Sequence, residues 1–232
     1  MRPLLISLSL LAVMVPGLAI ADVPSSWRAT KNTADDVVYE GINRTFYCGC
    51  LYESDGDSDG SGVVTDHVEC GYVPPDKHQQ RAGRVEWEHI VPASLMPARK
   101  FPCWINHDRD YCERHDPAAQ AMIFDLHNLV PSIGQVNALR LDDRYGEIEG
   151  EARAFGACAV EDVRGLFEPA DAQRGDVARI WLYMSERHGV TIPDEERTMF
   201  ERWSAEDPVS DWERERNARI QAIQGNANPF IK

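Results

Sequence analysis

Two stretches decide how this chain is read: Glu86-Trp87-Glu88-His89-Ile90-Val91-Pro92-Ala93 and Asp125-Leu126-His127-Asn128-Leu129-Val130-Pro131. Each sets a ligand-type side chain beside an imidazole and closes on a proline. Together they supply a carboxylate, two imidazoles and a carboxamide, which are hard oxygen ligands for a Mg²⁺-like cation and a base for water. On an extended segment Glu88 and His89 leave the backbone on opposite sides, so His89 can face a water while Glu88 turns to the metal. Asn128 adds a neutral oxygen ligand, leaving metal positions open for water and substrate. Asp125 and His127 read as outer partners that orient these groups, and Glu86 as an outer partner or a solvated strand residue. Trp87 reads as core.

The flanking sequence supplies a cellular address. Arg2, an apolar run from Leu4 to Val15 and the small-x-small site Ala19-Ile20-Ala21 describe an export signal over residues 1–21, too short to span a bilayer. Residues 22–232 then suit one domain with its own core. The six cysteines, Cys48, Cys50, Cys70, Cys103, Cys112 and Cys158, read as three disulfides in an oxidising compartment. Cys103 and Cys112 are spaced to close a local loop. Cys48 and Cys50 are too close to pair with each other, so they reach Cys70 and Cys158, in an order that spacing leaves open. Zinc is disfavoured, because no C-x₂-C pair is present among these residues.

With 24 Lys/Arg against 38 Asp/Glu, the net charge is −14, and loss of Arg2 with the signal makes it −15. That opposes a polyanionic ligand, whose affinity comes from Lys and Arg. The distribution is uneven, however. Residues 77–144 hold nine Lys/Arg and nine Asp/Glu, so the entire excess lies outside the segment that carries the motifs. Arg84, Arg99 and Lys100, all in this neutral window, are the candidate substrate contacts.

Apolar spacing predicts a helix over Ser25–Asn43 and short helices over Ala118–Phe124 and Ser132–Leu141. Helices are also predicted over Asp176–His188, Asp194–Ala205 and from a Ser210/Glu213 capping box to Gly225. Arg44–Tyr52 and Val63–Val73 are β-rich. The fold class is α+β, with small mixed sheets and a helical C-terminal part. Between Cys103 and Cys112 a polar loop carries Arg109, whose guanidinium fork suits a phosphate gaining charge in a transition state.

These residues resemble the bacterial endonuclease I family, the periplasmic and secreted non-specific nucleases of the ββα-metal (His-Me finger) type. The resemblance rests on Phe46-Tyr47-Cys48-Gly49-Cys50, Cys70-Gly71-Tyr72, Arg84-Val85-Glu86-Trp87-Glu88-His89 and Asp125-Leu126-His127-Asn128-Leu129. Tyr183-Met184-Ser185, Ile223-Gln224-Gly225-Asn226 and Asn228-Pro229-Phe230 extend it toward the end of the chain. It implies one Mg²⁺, with Mn²⁺ substituting, held at Glu88 and Asn128. It also implies His89 activating water, Arg109 steadying the phosphate, and 5′-phosphate ends. The implied partners are DNA and RNA, gripped through phosphates by a monomer away from membranes. A fourth disulfide found in some members has no counterpart here, since Arg214 stands at its first position.

Three other readings are weighed. Asp55-x-Asp57-x-Asp59-Gly60 with Asp66 twelfth imitates a Ca²⁺ loop, but Gly62 at the apolar position and strand-like flanks favour a solvated hairpin tip. A metalloprotease is excluded by the order Glu88-His89 and the lack of H-E-x-x-H. A non-catalytic binding module would be expected to have lost one of Glu88, His89, Arg109 and Asn128, and all four are present. His67, His78, His107, His115 and His188 are read as surface residues, and Trp181, Trp203 and Trp212 as core.

Overall fold

The computed structural model describes residues 24–55, 61–150 and 153–232. The predicted export signal, like the centre of the Asp55–Asp66 loop, lies outside the described residues. Ser26 opens helix α1 (Trp27–Thr33) by accepting the Ala29 N–H on its hydroxyl at 3.2 Å, which satisfies one of the helix's unpaired donors. A single π-type turn, Ala34–Val38, ends the helical run well short of Asn43. Strands β1 (Tyr52–Ser54), β2 (Gly62–Val64) and β3 (Arg84–His89) follow. Helices α2 (Pro102–Asn106), α3 (Arg109–His115) and α4 (Pro117–Ile123) then lead to β4 (Leu129–Ile133) and α5 (Gly134–Arg140). Strands β5 (Arg144–Tyr145), β6 (Glu161–Val163) and β7 (Leu166–Glu168) precede α6 (Asp171–His188), α7 (Asp194–Glu206) and α8 (Asp211–Gln224).

The result is one α+β domain with two small sheets. The first runs β1-β2-β3-β4, antiparallel throughout, and the second runs β5-β7-β6 with β5 parallel to β7. In the first sheet Glu88 lies opposite Val130 and His89 opposite Leu129. Every residue of β4 is buried, as its unbroken Leu-Val-Pro-Ser-Ile composition requires of a strand covered on both faces. The two faces of β3 have different covers. Glu86 and Glu88 meet Asn137 and Arg140, one turn apart on α5, whereas Trp87 meets Tyr39 and His89 meets Trp27. The alternation of a strand therefore separates the carboxylate from the imidazole.

Behind the sheet, α6 and α7 pack together through Trp181, Phe200 and Trp203, all fully buried. The predicted capping box at Ser210 and Glu213 is formed. The disulfides are Cys48–Cys158, Cys50–Cys70 and Cys103–Cys112, which fills in the order that spacing leaves open. Among the described residues no helix is long and apolar enough to cross a membrane.

Several boundaries differ from the sequence reading for local reasons. Ser132 and Ile133 stay in β4 and the helix begins at Gly134, where a Cβ would come within 2.6 Å of Glu86 Oε1. The segment Arg44–Tyr52 contributes only its last residue to a strand, because Cys48 and Cys50 are drawn into separate bridges and Gly49 turns at φ +65°. The loop between Cys103 and Cys112 is not irregular. It holds α2 and the start of α3, the latter capped by the Asp108 carboxylate on Tyr111 N at 2.7 Å.

Candidate active site

Glu88 is 2% exposed, at the end of β3. Its Oε1 accepts hydrogen bonds from Tyr47 Oη at 2.8 Å and Arg140 Nη1 at 2.7 Å. The Tyr145 hydroxyl lies 2.6 Å from that of Tyr47, and since Tyr47 donates to Glu88, Tyr145 donates to Tyr47. The other carboxylate oxygen, Oε2, is buried and has no hydrogen-bond partner among the described residues. An ionised oxygen in that position is costly unless a cation or donor completes it. Hard-oxygen chemistry and the vacant lone pairs fit a divalent ion.

Next to it on the strand, His89 is half-buried. Its Nε2 lies 2.7 Å from the Ile123 carbonyl oxygen. A carbonyl only accepts, so Nε2 carries the proton and Nδ1 keeps its lone pair. Burial, aided by the charge of Arg109, pushes the imidazole pKa down to about 3, against the opposing Ile123 hydrogen bond. The ring is therefore neutral at physiological pH. It stacks on Trp27 with centroids 5.1 Å apart and planes 14° from parallel.

Arg109 opens α3 and comes over the same indole, its Cζ 5.6 Å from the ring centroid. Its Nε is bound to Glu113, one helical turn on, at 2.5 Å. That holds the guanidinium by its stem side and leaves the terminal fork for a ligand. The Cys103–Cys112 bridge ties α3 to α2 behind it.

Asn128 is fully buried in the 3₁₀ turn that leads into β4. Its carboxamide closes a two-bond ring with Val91, Oδ1 accepting from Val91 N at 2.7 Å and Nδ2 donating to Val91 O at 3.0 Å. The Asn128 backbone carbonyl also accepts from Ile90 N at 3.0 Å. The turn is thereby fastened to the residues just after Glu88-His89, and the carboxamide oxygen retains a second lone pair for a cation.

Asp125 and His127 direct their side-chain hydrogen bonds away from Glu88 and His89. Asp125 accepts from Tyr183 Oη (2.6 Å), His188 Nε2 (2.7 Å), Gln224 Nε2 (2.9 Å) and His127 N (3.0 Å). His127 donates from Nε2 to the Asn226 carbonyl at 3.0 Å. Both therefore orient the Asn128 turn by anchoring it to α6 and the C-terminal segment. His188, read from sequence as a surface residue, is instead a nearly buried partner of Asp125. The pairing was hidden because the two residues lie 63 positions apart.

This anchor has a pH signature. Burial pushes the Asp125 carboxyl up, but the His188 hydrogen bond, the charges of His127 and His188, and Gln224 together hold it at about 2, below its ordinary 3.8. A depressed carboxyl stabilises the fold above the unfolded-state value and loses that contribution as pH falls toward the folded one. Between pH 4 and 2, wild type should lose about 2 kcal/mol more unfolding free energy than Asp125→Asn, from 1.36 kcal/mol per pKa unit. Chemical denaturation at several pH values checks this, and parallel acid limbs for the two proteins would rule it out.

Of the other candidates, Glu86 is bound by Arg81, by Arg84 at 2.5 Å and by Asn137 Nδ2 at 2.9 Å. It braces β3 against α5 and makes no hydrogen bond with Glu88. Arg84 is exposed but committed to that carboxylate, and Arg99 is exposed with its guanidinium over Trp104. Lys100 is exposed beside Arg99 in the turn Pro97–Lys100. Asp66, last residue of the candidate calcium loop, spends a carboxylate oxygen on Leu51 N at 2.5 Å. Three residues of the site went unassigned from sequence: Tyr47 and Arg140 on Glu88, and Trp27 on His89. Tyr47 stands within the quoted Phe46–Cys50 motif, and Arg140 falls three residues after Asn137 on one helix face. Trp27 carries no local signal.

Comparison with known proteins places these observations among relatives. The family model described as Endonuclease I matches residues 28–232. An extracellular deoxyribonuclease of Aeromonas hydrophila is 38% identical over 234 residues, covering 100% of this chain and 97% of its own. A periplasmic deoxyribonuclease of the same organism is 36% identical over 218 residues, covering 91% and 87%. Endonuclease-1 of Buchnera aphidicola subsp. Acyrthosiphon pisum (strain APS) is 33% identical over 199 residues, covering 84% and 76%.

Proposed function

The chain belongs to the endonuclease I family, and from that premise we propose that it is an exported, metal-dependent endonuclease. It hydrolyses phosphodiester bonds in DNA, and in RNA, with little sequence preference, leaving 5′-phosphate ends. β3, β4 and α5 form the ββα-metal unit of this reading. The observation that carries it is the pairing, on adjacent residues of β3, of a buried carboxylate oxygen without a partner and a neutral imidazole with a free Nδ1.

Glu88 and Asn128 would hold the ion, Mg²⁺ with Mn²⁺ as a substitute, which when bound supplies Lewis-acid stabilisation of the departing 3′-oxygen. The rest is the work of side chains. His89 Nδ1 takes a proton from the water that attacks the phosphorus in line, while Ile123 fixes the tautomer that leaves Nδ1 available. Arg109 offers its terminal donors to the non-bridging phosphate oxygens as charge builds there. Exposed Arg99 and Lys100 meet flanking phosphates, whereas Arg84 would have to leave Glu86 to do so. The three disulfides support maturation outside the reducing cytoplasm, in the periplasm or the medium. A monomer carries the whole site.

The test is digestion of supercoiled plasmid by the oxidised mature protein over a range of salt concentrations. Nicking and fragmentation with Mg²⁺, none with EDTA, and fragments that ligate without prior phosphorylation are expected. Failure of the wild type to cut at any salt concentration would refute the assignment. Fragments bearing 5′-hydroxyl ends would refute the stated bond cleavage.

A further inference from the structure

We propose that Trp27 is a positioning residue of the hydrolytic site, its indole being the platform that holds His89 and Arg109 in register. This rests on the roles given above to those two residues. Trp27 lies on the first turn of α1, about sixty residues before the motif in sequence, and belongs to no recognised motif. Yet its ring is in contact with both: stacked on the His89 imidazole at 5.1 Å and 14°, and 5.6 Å from the Arg109 guanidinium carbon. It also stacks on Phe124 at 6.4 Å, the residue immediately after the Ile123 carbonyl that holds His89 Nε2.

The geometry explains why a flat ring is needed. One hydrogen bond at Nε2 fixes the tautomer but still permits the imidazole to swing about that bond, carrying Nδ1 off the line of attack. A near-parallel indole removes the swing. Arg109 has the same freedom: Glu113 holds only Nε, and the π face restrains the plane of the guanidinium by cation–π attraction. The platform is itself fixed. Ser26 caps α1, and the buried Thr30 hydroxyl donates to Ser26 O at 2.8 Å.

The test is steady-state cleavage of a short duplex oligonucleotide by Trp27→Ala, Trp27→Leu and Trp27→Phe, and by Trp27→Ala in the His89→Ala background. Each melting curve is recorded to confirm folding. Misplacing a catalytic group by about 1 Å costs on the order of 100-fold. We therefore expect kcat to fall at least about 30-fold in the Ala and Leu variants with KM nearly unchanged. Phe, which keeps a flat ring, should recover most of the rate. In the His89→Ala background, Trp27→Ala should cost only the share that passes through Arg109, far less than in wild type.

Wild-type kcat in Trp27→Leu would overturn the proposal, as would a loss confined to KM or full multiplicativity with His89→Ala. The Leu and Phe pair keeps the test decisive should the alanine variant fail to fold. Full activity in His89→Ala alone would instead mark failure of the base assignment, on which the proposal stands.

Discussion

His89→Ala should lower kcat by about 10²–10⁴-fold, the usual contribution of a positioned general base, and leave the fold standing. Under the proposed mechanism the variant deletes the group that takes the water's proton. It removes one hydrogen bond, that to Ile123, whose net worth is about 1 kcal/mol. Because the imidazole is half-buried beneath Trp27, some packing is lost as well. The rate loss and the small stability loss therefore separate cleanly. Cleavage kinetics and thermal melting on the same preparation check both, and a kcat within tenfold of wild type, by the same general-base scale, would remove His89 from the mechanism. Affinity for DNA measured in EDTA should be nearly unchanged, since the ring carries no charge at neutral pH.

How much of this was legible beforehand depended on whether a residue's partner lay close in sequence. Glu88 and His89 announce themselves because strand alternation alone sends them to opposite sides, and β3 does send them to α5 and α1 respectively. The capping box at Ser210 is local and was readable. The α+β class and the buried Trp181 and Trp203 followed from periodicity. What stayed hidden required a distant partner. Arg140 sits in an ordinary-looking helix, and only the antiparallel return of β4 into α5 carries it 52 residues back to Glu88. Asp125 reads as a candidate partner of the catalytic groups until α6 and the C-terminal segment arrive with Tyr183, His188 and Gln224 to claim it. The helices inside the Cys103–Cys112 segment were hidden for a different reason: each is too short to show an apolar period, and the Asp108 cap and the disulfide that fix them act at single positions.

The pair Glu88–Arg140 should produce the largest effect on stability. Both side chains are essentially excluded from water. Besides Glu88, Arg140 binds the carbonyls of His89 and Ile90 at 2.8 Å each and lies over the Tyr145 ring at 4.5 Å. It therefore clamps the end of the strand that bears the site. Removing one member of a buried ion pair leaves the other uncompensated and costs about 3–5 kcal/mol. Glu88→Ala and Arg140→Met should each lose about that much in urea unfolding with disulfides intact. Replacing both, Glu88→Leu with Arg140→Met, removes both charges together and should recover part of the loss, less the unpaired carbonyls left behind. Activity should follow a different rule. Arg140→Met keeps the Glu88 carboxylate but frees it to move, so the Mg²⁺ concentration for half-maximal cleavage should rise about 10–100-fold. The double variant has no carboxylate and should stay inactive however stable it becomes. A Glu88→Ala protein within about 1 kcal/mol of wild type would show that the pair does not anchor the fold. An active double variant would show that Glu88 serves only as a brace and not as a metal ligand.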